Sequence, residues 1–186
     1  MNKTAALAVF AAAALLAPEA RAESVIKQPN RHPAYRAELE PHFNILPWHR
    51  NYGGARYNGF GSFEVGGGFR ASIELADPAF IPKLNNTVAI TFGIDFTNNN
   101  CRFGCNHSFS FWSPVALQWN FFLTDKWSVF GEAGFVLRSY GFLTSDTHAD
   151  FTLAGGGRFH FTDRVSLTMR AGYPFVSVGV SFFVGS

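Results

Sequence analysis

The sequence has 186 residues, of which 47% are hydrophobic, 17% aromatic and 15% charged, and its formal net charge is +2. Without Lys3, Arg21 and Glu19, which lie in the leader described next, 13 basic and 12 acidic residues remain. A balance this even gives no strong electrostatic field and predicts no nucleic-acid partner. The length suits one domain.

The first 22 residues have the pattern of a secretory signal peptide. A short start containing Lys3 precedes an apolar run over residues 5–16, and "ARA" at 20–22 provides a small-x-small cleavage signal. The run is shorter than the roughly 20 apolar residues that a membrane-spanning helix requires. We therefore predict a signal peptide over residues 1–22, a lead-in over 23–36 and one barrel domain over 37–186.

Turn signals divide the rest of the sequence into eight segments in which apolar and polar residues alternate. Successive side chains of a strand point to opposite faces, so a period of two predicts strands. The predicted strands cover residues 37–47, 60–75, 86–97, 108–122, 127–138, 149–161, 164–172 and 175–184. No helical period or internal repeat accompanies them, and the chain is predicted to be all-β.

The connections between these strands alternate in length. "LTDK" at 123–126 and "FTDR" at 161–164 are tight, whereas "HRNYGGARYNG" at 49–59, "NNNCRFGCNH" at 98–107 and "SYGFLTSDTH" at 139–148 are long. Outer-membrane barrels have short periplasmic turns and long outside loops, and the alternation favours that architecture. Two links depart from it, because "DPAFIPKLNN" at 77–86 is long and "GYP" at 172–174 is short.

The two cysteines lie close together in a polar, turn-rich segment. In an exported protein, Cys101 and Cys105 predict one local disulfide. A metal site that includes His107 is an alternative, but structural zinc usually takes four ligands and only three are near; free thiols are another. We predict the disulfide and no metal site.

The composition of the two strand faces predicts which one meets lipid. In the fourth strand, Val115 and Leu117 alternate with Gln118 and Asn120. A soluble barrel would cover its polar face with solvated lysines, yet no lysine lies in a predicted strand. The apolar face is therefore placed outward, and the fold class predicted is an all-β, eight-stranded antiparallel up-and-down transmembrane β-barrel.

Aromatic residues at both ends of the apolar face predict two girdles at the membrane interfaces. Phe109 and Phe111 are assigned to the outer interface. The periplasmic girdle is assigned to Trp119, Phe121, Trp127, Phe159 and Phe161.

Charged residues on the inward face predict an ion-pair network in the lumen. Buried charges are tolerated when they are paired and hydrogen-bonded, and eight strands leave little free bore. The predicted network comprises Glu38, Glu40, His42, Glu64, Arg70, Glu74, Asp95, Glu132, Arg138, Arg158, His160, Arg164 and Arg170. A selective pore lined by the same groups is the alternative.

The closing strand "VSVGVSFFVGS" points Val176, Val178, Val180 and Phe182 outward. Together with the leader, the strand count and the loop asymmetry, this resembles the small eight-stranded bacterial outer-membrane barrels of the outer membrane protein A transmembrane-domain and outer membrane protein X type. The resemblance implies an outer-membrane location, a monomer and contact with outer-membrane lipids. It departs from the family pattern because the chain ends in Val-Gly-Ser.

Three functions are compatible with such a barrel. The first is a structural or surface-interaction role, in which outer loops containing Arg50, Tyr52, Arg56 and Tyr57 contact lipopolysaccharide or other surface ligands. The second is a narrow channel or small-solute transporter.

The third function is that of a lipid-modifying enzyme, since eight-stranded barrels include deacylases with a histidine and a serine on the lipid-facing surface. His107 and Ser108 are adjacent and face opposite sides, and Ser113 has no partner histidine in its strand, although Pro114 after it suggests a bulge. We predict the first role, without a catalytic centre or cofactor.

Overall fold

The computed structural model describes residues 23–46, 64–98, 109–140 and 147–185. They form eight strands: β1 (Ala37–Leu46), β2 (Glu64–Ala76), β3 (Asn86–Asn98), β4 (Phe109–Phe122), β5 (Trp127–Tyr140), β6 (Thr147–Thr162), β7 (Val165–Tyr173) and β8 (Val176–Val184). Every predicted strand is present, with most ends within two residues of the prediction. The start predicted for β2 at residue 60 lies outside the described residues, as do the signal peptide and both cysteines.

The eight strands form one closed antiparallel barrel in sequence order. Each strand pairs with the next one along the chain, and β1 closes the ring by pairing with β8, from Ala37 opposite Val184 to Ile45 opposite Val176. Closure leaves no strand edge unpaired. The predicted eight-stranded antiparallel barrel is confirmed.

The two ends of the barrel differ in the connections they carry. At one end lie the start of β1, the end of β8 and the links 77–85, 123–126 and 163–164; we call this end the terminal rim. At the opposite end, the loop rim, lie the end of β1, the start of β2 and the two-residue link 174–175. The strand ends that flank the segments 47–63, 99–108 and 141–146 also lie at the loop rim.

Residues 23–36 fold across the terminal rim. The Val25 amide donates to the Leu123 carbonyl at 2.9 Å, and the Asn85 amide donates to the Ile26 carbonyl at 2.8 Å. Val25 and Tyr35 pack with Phe122 and Phe183 in a buried apolar cluster. The lead-in therefore covers this end of the barrel.

Pro114 lies within β4 without a bulge, contrary to the expectation from the sequence. Phe92 opposite Val115 and Asp95 opposite Trp112 belong to one unbroken register with β3, and only the two pairs between them are missing. A proline lacks the N–H that one ladder bond requires, so the loss is local. The register shifts in the barrel lie near the terminal rim, at Glu74/Ala76 and His160/Thr162.

The outer surface of the strands is apolar. Phe135 is 67% exposed and Leu117 53% exposed, and similar side chains project from all eight strands. None of the outward positions of the described strands carries an Asp, Glu, Lys or Arg. The described residues include no helix long and apolar enough to cross a membrane.

Candidate functional site: the interior of the barrel

The barrel interior collects the charged side chains that the alternation pattern points inward. Most of the predicted network is buried there: Glu38, Glu40, His42, Glu64, Arg70, Asp95, Glu132, Arg138, Arg158, His160 and Arg170. The two other predicted members, Glu74 and Arg164, are placed differently and are treated below.

Among the buried ion pairs of the interior, that of Arg158 in β6 lies nearest to the terminal rim. Its Nε and Nη2 donate to Glu38 Oε1 and Oε2 at 2.9 and 2.7 Å. Its Nη1 donates to Asn120 Oδ1 at 2.9 Å, and its Nη2 also donates to Gln118 Oε1 at 3.0 Å. The pair is bidentate and fully enclosed, and its geometry belongs to the strongest class of protein hydrogen bonds.

Arg170 of β7 forms the next ion pair toward the middle of the barrel. Its Nη1 and Nη2 donate to Glu40 Oε1 and Oε2 at 2.8 and 2.9 Å, and its Nε donates to Glu132 Oε2 at 3.0 Å. Glu132 also accepts from Gln118 Nε2 at 2.7 Å and from Arg70 Nη1 at 3.3 Å. One arginine thus connects carboxylates of β1 and β5 across the lumen.

Asp95 of β3 continues this network toward the loop rim. Its Oδ1 lies 2.6 Å from His42 Nε2 and accepts from Asn44 Nδ2 at 2.8 Å. Its other oxygen lies 3.6 Å from Arg70 Nη2. Because Arg70 also contacts Glu132, the Asp95 group and the Arg170 group form one connected network.

The loop rim has its own cluster of aromatic and aliphatic side chains. Trp112 packs edge-on against Phe175, with ring centroids 5.1 Å apart, in one buried cluster with Leu46 and Val136. The Arg138 guanidinium lies 4.5 Å from the centroid of the Trp112 ring. Together with the lead-in at the other end, this cluster encloses the charged groups between two apolar layers.

Two further side chains with polar groups, those of His160 and Tyr35, are buried at the terminal rim. His160 Nε2 lies 2.9 Å from Ser128 Oγ, and its ring stacks on Phe183 with centroids 5.5 Å apart. Burial raises the pKa of the Tyr35 hydroxyl above its ordinary value, because the phenolate would lie in an apolar environment. Tyr35 is therefore a neutral hydroxyl in this cluster at physiological pH.

The prediction placed Arg164 and Glu74 in the lumen, and for Arg164 it is wrong. Arg164 is exposed in the two-residue link between β6 and β7, where Thr162 Oγ1 accepts from its backbone amide at 3.2 Å. The prediction began the seventh strand at residue 164, whereas β7 begins at Val165, so Arg164 belongs to the link and not to the alternating pattern. Glu74 is only half-buried, close to the terminal rim.

Phe130 is an interior residue that the sequence reading missed. Its ring lies 4.3 Å from the Arg158 guanidinium and 5.1 Å from that of Arg170. Gly156 makes room for it, since a Cβ at position 156 would overlap the edge of the Phe130 ring. The period-two alternation along β5 does place Phe130 at the inward position between Ser128 and Glu132. The assignment was missed because Phe130 is apolar and the other inward positions were identified by their polar side chains.

The predicted girdle residues lie at the two rims. Near the loop rim, the Phe96 ring contacts Phe109 and Phe111, with centroids 6.2 and 5.4 Å apart, although Phe111 is only 7% exposed. Near the terminal rim the ring contacts are Trp119 with Phe121, Trp127 with Phe159, and Phe159 with Phe161.

Groups outside the interior offer little chemistry in the described residues. Ser113 Oγ donates to the Gly93 carbonyl at 3.1 Å, and its neighbour across on β5 is Leu137. No group of three or more His, Cys, Asp or Glu side chains that could hold a metal ion occurs in residues 23–46, 64–98, 109–140 and 147–185. His107, Ser108, the predicted disulfide and the loop containing Arg50 and Arg56 lie outside those residues.

Comparison with known proteins adds little to this description. No protein-family model and no curated protein sequence matches the chain. Among solved structures, the backbone structure of the Yersinia pestis outer membrane protein Ail in a phospholipid bilayer nanodisc is similar. The identity is 12% and the TM-score 0.44, and the match covers 80% of this chain and 99% of Ail. A likeness this distant assigns neither a family nor an activity.

Proposed function

We propose that this protein is a monomeric outer-membrane barrel with a filled lumen, and that it has a structural or surface-interaction role. The proposal rests above all on the distribution of charge. The outward positions of the described strands carry no charged side chain, whereas the interior holds ion pairs such as Arg158 with Glu38. Water would favour the reverse arrangement, and a hydrocarbon surrounding favours this one.

The size of the apolar surface supports the same proposal. Along β4, the span from Phe109 to Phe121 is about 40 Å at about 3.3 Å per residue. With a tilt of roughly 40° it projects to about 30 Å, close to the apolar band of roughly 25 Å plus its flanking girdles in such barrels. Trp127 and Phe159 near one rim and Phe109 near the other then lie at the two interfaces.

The connections give the proposed orientation. The start of β1, the end of β8 and the short links 123–126 and 163–164 lie at the terminal rim, which we assign to the periplasm, whereas the two longest connections, 47–63 and 99–108, join strands at the loop rim, which we assign to the outside. A surface-interaction role would use those outer segments, with lipopolysaccharide or other surface molecules as ligands. The packed interior, with Phe130 and Trp112 among the ion pairs, supports this role over that of a channel.

The membrane placement is tested by refolding the purified chain into phospholipid vesicles. A folded membrane barrel resists detergent, so the unboiled sample is expected to migrate differently from the boiled one and to stay with the vesicles in alkaline carbonate. Recovery of the folded protein in the supernatant would contradict the proposal. A soluble periplasmic protein carried through the same steps is the control.

The role within the membrane requires separate measurements. Planar bilayers containing the protein are expected to show no steady conductance, and a reproducible single-channel step would favour the channel. Lipid A from deletion and overexpressing cells is expected to have unchanged mass; a change that depends on Ser108 or Ser113 would identify an enzyme instead. Binding assays with chains that lack residues 49–59 or 141–146 then test the outer segments directly.

A further inference from the structure

The link between β2 and β3 is longer than a turn at the terminal rim requires. It covers residues 77–85, whereas the links 123–126 and 163–164 at the same rim connect their strands with four and two residues. Periplasmic turns of such barrels are short, and a long one therefore needs a physical reason.

The link has a defined shape. The Ala79 amide donates to the Asn86 carbonyl and the Leu84 amide donates to the Ile81 carbonyl, both at 3.0 Å. The Asn86 side chain donates to the carbonyls of Ile81 and Leu84 at 2.8 Å. These bonds fix the backbone of the link around Ile81.

The link presents those two apolar side chains outward. Phe80 is 72% exposed and Ile81 37% exposed. The Phe80 ring packs edge-on against Trp119 with centroids 5.4 Å apart, and the Trp119 indole N–H donates to Asn86 Oδ1 at 2.9 Å. The exposed apolar surface of the link is thus continuous with the aromatic girdle at the terminal rim.

Exposed lysines lie beside this surface. Lys83 belongs to the link, and Lys27 follows Ile26, whose carbonyl accepts from the Asn85 amide. The third lysine of residues 23–186 is Lys126, in the β4–β5 link at the same rim. Lysine side chains lay their methylene groups along apolar surface and direct the ammonium group to the headgroup level, where lipid phosphates lie.

We infer that the link 77–85 is a lipid-binding segment that inserts Phe80 and Ile81 into the acyl-chain boundary of the periplasmic leaflet, with Lys83 and Lys27 on glycerophospholipid phosphates. The inference rests on the membrane placement proposed above. A protein partner fits less well, because a stable interface buries about 800 Å² on each side and one aromatic ring contributes roughly 150–250 Å². The continuity with the girdle selects lipid as the occupant.

The test measures how deep single positions lie in a bilayer. Cys101→Ser and Cys105→Ser give a background in which Ile81→Cys, Leu117→Cys and Asp125→Cys are each labelled with an environment-sensitive fluorophore. Asp125 lies in the β4–β5 link at the same rim, and Leu117 lies in the middle of the apolar surface. The labelled proteins are refolded into vesicles of phosphatidylcholine and phosphatidylglycerol that contain nitroxide-labelled lipid, and folding is checked by gel migration.

The inference predicts strong quenching by the lipid nitroxide at positions 81 and 117 and little at position 125, where aqueous iodide quenches instead. Quenching at 117 with none at 81 overturns the inference and leaves the membrane placement intact. Absence of quenching at 117 as well contradicts the membrane placement itself. Protection of position 81 from both quenchers, increasing with protein concentration, identifies a second copy as the occupant and also overturns the inference.

A second readout uses the chain with its cysteines intact. A photo-crosslinking phenylalanine analogue at position 80 is expected to form an adduct with the mass of a phospholipid in the same vesicles. An adduct with another protein molecule would overturn the inference. The analogue at position 161, which the exposed Phe161 occupies in the girdle of the same rim, is the positive control for lipid capture.

Discussion

Replacing Arg170 by methionine removes the cation that joins Glu40 and Glu132 inside the barrel. Methionine keeps much of the volume of the arginine stem but donates no hydrogen bond. The substitution therefore leaves both carboxylates buried without their main partner. Breaking a buried ion pair from one side costs about 3–5 kcal/mol, because an uncompensated charge remains.

The two carboxylates are affected unequally. Glu132 keeps the bond from Gln118 at 2.7 Å and that from Arg70 at 3.3 Å. Glu40 loses both of its bonds from Arg170, and His42 Nδ1 remains at 3.7 Å from its Oε1. We expect a second substitution, Glu40→Gln, to restore more of the lost stability than Glu132→Gln does.

The measurement is urea-induced unfolding of the protein in phospholipid vesicles, followed by tryptophan fluorescence and gel migration. The matched control is Arg164→Met, which removes an exposed arginine from a link and is expected to change the free energy of unfolding by about 0.5 kcal/mol or less. An Arg170→Met cost below about 1 kcal/mol would refute the ion-pair reasoning. Equal rescue by the two glutamate substitutions would refute the assignment of Glu40 as the more dependent partner.

Further predictions concern the packing, the terminal rim and the outer surface. Gly156→Ala is expected to cost about 1–3 kcal/mol, because its Cβ would overlap Phe130, whereas Gly131→Ala, with open space around its Cβ position, is expected to be neutral in the same unfolding assay. The free energy of unfolding is expected to fall as the pH rises above about 10, the ordinary pKa of tyrosine, because the unfolded chain ionises Tyr35 before the folded one does. Tyr35→Phe should flatten that part of the pH profile of stability. A profile that the substitution leaves unchanged would contradict the burial argument. Phe135→Arg is expected to cost about 2–4 kcal/mol in vesicles if its surroundings are hydrocarbon, and a neutral effect would count against the membrane placement.

Alternation along the sequence was sufficient to predict the strands and most of the interior. Glu38 and Glu40 are two residues apart in β1 and therefore share a face. Arg158 in β6 and Arg170 in β7 are assigned to the inward face by the same period of two. The pattern works here because the apolar outer face of the barrel constrains it: a charge on that face is costly. Chain order and the antiparallel hairpins then determine which strands are neighbours.

The limits of the sequence reading have local causes. Arg164 was assigned to the first position of the seventh strand, but β7 begins at Val165, and the two-residue link before it leaves the Arg164 side chain at the surface. Phe130 was not assigned to the interior, because an apolar ring at an inward position is not expected among charges, and its stacking on two guanidinium groups is visible only in the fold. The lead-in carries no alternating pattern, and its fold across the terminal rim depends on long-range contacts such as that of Tyr35 with Phe183.

The interior ion pairs are explained by closure of the barrel, without a role in binding or transporting a solute. Arg158 binds Glu38, 120 residues away in the sequence, and Arg170 binds Glu40, 130 residues away. These ion pairs therefore connect β6 and β7 to β1. β1 is also the strand that must meet β8 to close the ring. A slip of one residue there would turn both glutamates toward the outside and separate both arginines from their β1 partners, so the charges select one register for the closing seam. Since closure and packing already account for these groups, contacts with other molecules are expected at the two rims, where the outer segments and the link 77–85 leave the barrel.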